Sequence, residues 1–174
     1  MIIISKLIIA YPNSKIGVIQ EPWSYLKRSG FSEGENWNIE TGEKIKCCIL
    51  ELPNYDVQRI RIEFDKTDDR NKLSGIVTED TIFFINADGS AMIINKNSTK
   101  EHALNKASEY FNISMSNIIS FGDDINDMKM IEISGVGVAM GNAVNEVKES
   151  ADYVTETNDR EGIAIWINKY LLPT

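Results

Sequence analysis

The spacing of hydrophobic positions changes near the middle of the chain. Up to about residue 95 the apolar residues come in short runs or alternate with polar ones, the mark of strands. Residues 2–10, Ile-Ile-Ile-Ser-Lys-Leu-Ile-Ile-Ala, read as a buried strand, and Tyr11-Pro12-Asn13-Ser14 as a turn. Residues 21–29, with Trp23, Tyr25 and Leu26, read as a short helix, and 30–43 as a loop. Residues 44–50 and 58–64 read as strands; in the second, Arg59, Arg61 and Glu63 alternate with Ile60, Ile62 and Phe64, which implies one wet face and one buried face. A charged turn over 65–71 follows, then a hairpin of 81–86 and 91–95 across Ala87-Asp88-Gly89-Ser90.

Beyond residue 96 helical and strand patterns alternate. Ser98-Thr99-Lys100-Glu101 reads as a capping box with Ser98 as N-cap. The helix after it places Ala103, Leu104, Ala107, Tyr110 and Phe111 on one face for burial. Strands are expected at 117–121, 137–140 and 153–155, and helices at 125–133, 143–150 and 162–171, where Trp166, with Ile163, Ile167 and Tyr170, reads as core. Such alternation predicts a parallel sheet with right-handed crossovers.

The chemistry concentrates where one of these strands ends. Ile118-Ile119-Ser120-Phe121 runs into Gly122-Asp123-Asp124-Ile125-Asn126-Asp127, three carboxylates and an amide in five residues. A parallel strand would deliver this cluster to the carboxyl edge of an open sheet, where such sheets bind ligands. Asp123 and Asp127, four residues apart across the turn, can face one hard cation. Mg²⁺ suits such oxygen ligands, keeping waters and binding through one or two carboxylates plus phosphate. The plainer reading is a solvated loop with an aspartate as helix N-cap.

Composition narrows the partners. The 174 residues are 43% hydrophobic and 25% charged, enough to build a core, with a net charge of −8. With no cluster of Lys or Arg, nucleic acid is not expected as a partner, nor is an anionic membrane surface. The apolar start is too short to span a bilayer and lacks the marks of a signal peptide. Cys47 and Cys48 are adjacent, poorly placed to join each other, so a reducing, cytoplasmic setting is expected.

The cluster, followed by Gly135-Val-Gly-Val-Ala-Met-Gly-Asn-Ala143, residues 147–155 and Asn158-Asp-Arg-Glu-Gly-Ile-Ala164, resembles the C-terminal half of haloacid-dehalogenase-superfamily phosphatases of the Cof-like group. The resemblance is dense from about 97 to 171. It implies an α/β fold: half of a Rossmannoid parallel core over 96–174, and a strand-rich α+β cap over 1–95 that chooses the substrate. It implies a Mg²⁺-dependent phosphatase acting on small phosphate esters such as sugar phosphates. Lys100 matches the phosphate-holding lysine, Asp123 and Asp127 the acids of the metal motif, and Asn126 and Asn142 polar residues near the substrate. Lys100 in a first helical turn suits that role, because cation and helix N-terminus together attract phosphate.

One part of the pattern is missing. Relatives carry an Asp-x-Asp nucleophile motif on the first core strand, and this sequence has none. Asn86-Ala87-Asp88-Gly89-Ser90 mimics it, but so close before Lys100 a hairpin turn is the better reading. Residues 6–14 have the apolar lead-in but no carboxylate. The expectation is a phosphatase part that is inactive alone; the alternative is a phosphate-binding or protein-interaction module. Without the first core strands, residues 118–121 would form a bare apolar edge. Either residues 2–10 fill it, or a second copy or a complementing chain covers it.

Overall fold

The computed structural model describes residues 2–20, 23–26, 44–46 and 57–172. The chain divides into two compact units, residues 1–96 and 97–174. It is a mixed α/β protein, with a parallel sheet in the second unit and most of its strands in the first.

The first unit is built on helix α1 (Ile2–Ala10) and strands β1 (Lys15–Gln20), β2 (Trp23–Leu26), β3 (Lys44–Lys46), β4 (Arg59–Glu63), β5 (Thr81–Ile85) and β6 (Ala91–Asn95). The strands form one sheet in the order β3-β2-β1-β4-β6-β5, antiparallel except for the β2–β3 pair. Residues 2–10 are therefore a helix and not the expected strand. Short apolar runs leave that choice open, and here packing decides it. Ile4, Leu7 and Tyr11 fall at helical spacing and are buried, while Ile9 is 80% exposed. The backbone continues the pattern with Tyr11 N–H donating to the Leu7 carbonyl at 2.9 Å.

Within 21–29 the described residues 23–26 are a strand rather than a helix, paired antiparallel with β1 from Gln20↔Trp23 to Gly17↔Leu26. Trp and Tyr favour strands, and a neighbouring strand supplies the hydrogen bonds. β1 itself went unread in the sequence, although Ile16 and Val18 alternate toward the core. The adjacent cysteines lie outside the described residues. The core of this unit lies on one sheet face, where Ile16, Val18, Ile60, Ile62 and Ile93 meet Ile4, Leu7, Leu73 and Tyr11. The Tyr11 hydroxyl donates to the Asp69 carbonyl at 3.1 Å, and Tyr11 packs edge-on against Phe64.

The β5–β6 hairpin forms as read. Its turn has Gly89 at φ +80°, which a side chain would strain. Asp88 organises the turn by accepting from the Ser90 N–H (2.8 Å), the Ser90 hydroxyl (2.6 Å) and Arg61 Nη2 (2.7 Å). Partial burial pushes the Asp88 carboxyl up, but Ser90 and Arg61 outweigh it and hold the group below its usual value. This explains the decoy motif, whose aspartate is spent on its own turn.

The second unit comprises α2 (Lys100–Phe111), β7 (Ile119–Gly122), α3 (Met128–Ile133), β8 (Val136–Ala139), α4 (Asn145–Ser150), β9 (Tyr153–Val154) and α5 (Gly162–Tyr170). Its three strands are parallel in the order β7-β8-β9. Ile131, Ala139, Ala143 and Val147 form a small core, and Trp166 is buried between Phe121, Tyr153 and Tyr170. The α2 N-cap is Thr99, without a side-chain cap, because Ser98 belongs to a preceding 3-10 turn; the expected Ser98 box does not form.

The predicted burial along α2 is also absent. None of its residues is buried, and Tyr110 and Phe111 are 83% and 66% exposed. Spacing marks an apolar stripe but not how far it is covered: Leu104 and Ala107 are half-buried, while Ala103, Tyr110 and Phe111 are exposed. β7 pairs only with β8 among the described residues, and residues 2–10 are a helix rather than a further strand of that sheet.

Two measurements check this description. Leu7→Ala should cost about 2–5 kcal/mol, whereas Ile9→Ala should stay within about 0.5 kcal/mol. Urea unfolding reads both, and equal losses would indicate a strand, in which positions 7 and 9 share a face. For Asp88, the lowered carboxyl stabilises the folded state above the usual carboxylate range and ceases to do so as pH falls through the depressed value. Asp88→Asn should therefore flatten the acid limb of a stability–pH profile.

Candidate functional site

The site gathers at the carboxyl ends of β7 and β8. Gly122 ends β7, and a side chain there would collide with the turn beyond: a Cβ on Gly122 would lie 2.4 Å from Asp127 Cβ. This close approach lets the chain fold back at once, so that Asp127 sits beneath the strand end.

Asp127 is buried, and each of its oxygens has partners. Oδ1 takes the Lys100 ammonium. Oδ2 accepts the backbone N–H of Asp123 (3.1 Å) and of Asp124 (3.3 Å). Asp124 caps the 3-10 turn Ile125–Asp127, accepting the Ile125 N–H at 2.8 Å and completing a capping box with Asp127. The plain N-cap role thus falls to Asp124. Lys100 begins α2, and its side chain is half exposed, so its ammonium is held on one side and open on the other.

Asp123 is exposed. Its Oδ2 accepts Asn142 Nδ2 at 3.0 Å, and its carbonyl accepts the Val144 N–H at 3.0 Å. Asn142 Oδ1 in turn accepts the Asn158 N–H at 3.0 Å. Asp123 Oδ1 has no partner among the described residues. Asn126 Oδ1, on the same turn, is buried and also unpartnered.

Four of the five residues singled out in the sequence therefore resolve into two linked sets. Lys100 joins Asp127, and Asn142 joins Asp123, with the Asp123 N–H tying the sets together. Asn126 lies between Asp124 and Asp127 in the chain, its amide oxygen lacking a donor. Two contributors went unnoticed. Asn158 acts through its backbone, which sequence cannot flag; Gly122 was visible only as a strand end, not as the contact that seats Asp127.

The donor set suits a divalent cation that keeps its waters. Asp123 offers a carboxylate oxygen, and Asn126 has an orphaned amide oxygen. No group of three or more metal-ligating side chains occurs among the described residues. Mg²⁺ is commonly held by one or two carboxylates together with substrate oxygens and waters. Mg²⁺ bound here would neutralise phosphate charge. The half-open Lys100 ammonium at a helix start has the chemistry to hold a phosphate oxygen.

Comparison with known proteins bears on this geometry. The family model for haloacid dehalogenase-like hydrolase matches residues 20–167. A putative phosphatase of Haemophilus influenzae is 44% identical over 73 residues, covering 42% of this chain and 28% of that protein. The 5-amino-6-(5-phospho-D-ribitylamino)uracil phosphatase YcsE of Bacillus subtilis is 47% identical over 73 residues, 42% of this chain and 29% of that one. A solved HAD subclass IIB sugar phosphatase superposes with a TM-score of 0.77 at 22% identity, covering 97% of this chain and 64% of that chain. The match thus spans under a third of these curated relatives and under two thirds of the solved neighbour. At that identity the structural likeness concerns the fold. No helix among the described residues is long and apolar enough to cross a membrane.

A test of the site's construction follows from the glycine. Gly122→Ala should destabilise the second unit by about 1–3 kcal/mol through overpacking against Asp127. Gly75→Ala, where a Cβ meets nothing within 4 Å, should cost nothing. Urea denaturation compares the two, and a neutral Gly122→Ala would show that Asp127 does not depend on this contact.

Proposed function

The chain belongs to the haloacid dehalogenase-like hydrolase family, and from that premise we propose that it supplies the phosphate- and cation-holding half of a Mg²⁺-dependent phosphatase. The observation that carries this reading is the buried Asp127 carboxylate fixing Lys100 beside the exposed Asp123. In this reading Asp123 is the cation ligand. Asp127, whose contacts go to Lys100 and two backbone N–H groups, serves the cation through its backbone link to Asp123 and serves phosphate by aiming Lys100. Asn126 offers its unpaired amide oxygen to the cation or to a water that the cation carries.

Residues 96–174 are then the C-terminal half of a Rossmannoid core, and residues 1–95 a cap. The substrate class is a small phosphate ester such as a sugar phosphate. The naming of the sugar phosphatase and of the uracil-ribityl phosphate phosphatase supports that class. The reaction takes place in the cytoplasm.

Phosphoryl transfer in this scheme needs an aspartate nucleophile, and no Asp-x-Asp occurs in this sequence. The nucleophile comes on a strand from outside it, which adds to the bare edge of β7 and covers the apolar stripe of α2. Binding at that edge satisfies unpaired backbone groups and removes an aggregation-prone surface.

The test has two arms. Alone, the chain should turn over an aryl phosphate with Mg²⁺ no faster than its Asp123→Asn form; faster turnover would place a nucleophile within this sequence. Fusing the nucleophile-bearing segment of a family member ahead of the chain should restore turnover. In that fusion Lys100→Ala should lower kcat by about 10²–10³-fold, the usual cost of losing one charge-stabilising donor. A well-folded fusion without turnover would leave only a phosphate-binding module and would sink the phosphatase reading.

A further inference from the structure

Asn142 is bonded on both sides. Its amide nitrogen donates to Asp123 Oδ2 at 3.0 Å, and its amide oxygen accepts the Asn158 N–H at 3.0 Å. The orientation is forced, because a backbone N–H can only donate and so claims the oxygen, leaving the nitrogen for the carboxylate. A second bond from the same segment, the Val144 N–H to the Asp123 carbonyl, holds the main chain of Asp123. Further along, Met140 N–H donates to the Gly122 carbonyl at 2.9 Å, so the whole stretch after β8 is laced to the end of β7.

The chemical effect is to divide the two oxygens of Asp123. Oδ2 is engaged by Asn142, whereas Oδ1 has no partner among the described residues. Ca²⁺ accepts six to eight oxygens in flexible geometry and often takes both oxygens of one carboxylate, whereas Mg²⁺ demands near-octahedral geometry at shorter distance. A carboxylate held to one free oxygen suits the smaller ion.

We propose that Asn142 is a positioning residue that makes Asp123 a one-oxygen ligand and thereby sets the site's preference for Mg²⁺ over Ca²⁺. The inference rests on the cation role of Asp123 proposed above and replaces direct substrate contact as the task of Asn142. The Asn158 N–H, anchored on the chain leading into α5, locks the amide in its working orientation.

The experiment titrates the full chain and its Asn142→Ala form with Mg²⁺ and, separately, Ca²⁺, following the amide NMR signals of residues 122–127. Loss of Asn142 frees the second oxygen, so Mg²⁺ should bind about tenfold more weakly, the lower end of what removing a partner of a metal ligand costs in affinity, with Ca²⁺ little changed, and the Mg²⁺-over-Ca²⁺ ratio should fall accordingly. In the metal-free variant, hydrogen exchange at the Asn158 N–H should quicken. Asn142→Asp is the companion variant: its carboxylate cannot donate to Asp123 but still accepts from Asn158. It should shift the ratio the same way while keeping Asn158 protected, and it carries the test if the alanine form does not fold. Equal weakening for both ions, with the ratio unchanged, would mean a merely structural amide and would overturn the proposal. An unmodified chain that binds neither ion would instead sink the cation reading of Asp123, and this inference with it.

Discussion

A carboxylate with almost no access to water sits under the end of β7, and the second unit is arranged to satisfy it. Burying an unpaired charge is expensive, so Asp127 is stable there only because it receives an ammonium and two backbone N–H groups. Each donor imposes a condition. Lys100 must begin α2 close to the turn. The backbone at Asp123 and Asp124 must bend so that both N–H groups point inward. Gly122 must lack a side chain, because the space a Cβ would need belongs to Asp127. Strand, turn and helix are thus fixed by one acid, and the exposed Asp123 inherits its place from that arrangement. A buried charge can be what gives its neighbours their positions.

The second unit was readable because its signals are local. Alternation of helix and strand, the apolar run ending in Gly122 and the acids behind it all lie within a short stretch. Asp123 stands out by its place in the acidic turn, Lys100 and Asn142 only by the family resemblance, and the structure joins Lys100 and Asn142 to that turn. The pairing itself was not legible. Nothing in the spacing of Asp123 and Asp127 says that one faces solvent and the other a lysine, because that depends on which oxygens the folded backbone can reach.

The first unit shows the limits of local patterns. Residues 2–10 are rich in isoleucine, and propensity favoured a strand, yet burial of Ile4, Leu7 and Tyr11 on one side made a helix the better solution. Trp23 and Tyr25 were assigned to a helix because their partner strand, β1, had not been recognised. On α2 the apolar stripe was found correctly and its burial assumed wrongly. Pattern reports which side of an element is greasy; only the rest of the fold reports what meets it.

The strand order of the first sheet also prescribes a sequence of events during synthesis. β4 lies between β1, made earlier, and β6, made later, while among the described strands β5 pairs only with β6. As the chain emerges, β4 joins β1 and then waits with its far edge bare until residue 95 is available. β5 cannot fill the gap, having no register with β4, so it must first fold back with β6 as a hairpin. The hairpin then docks by its later strand. The tight turn held by Asp88 thus sets the register of the hairpin that completes the sheet.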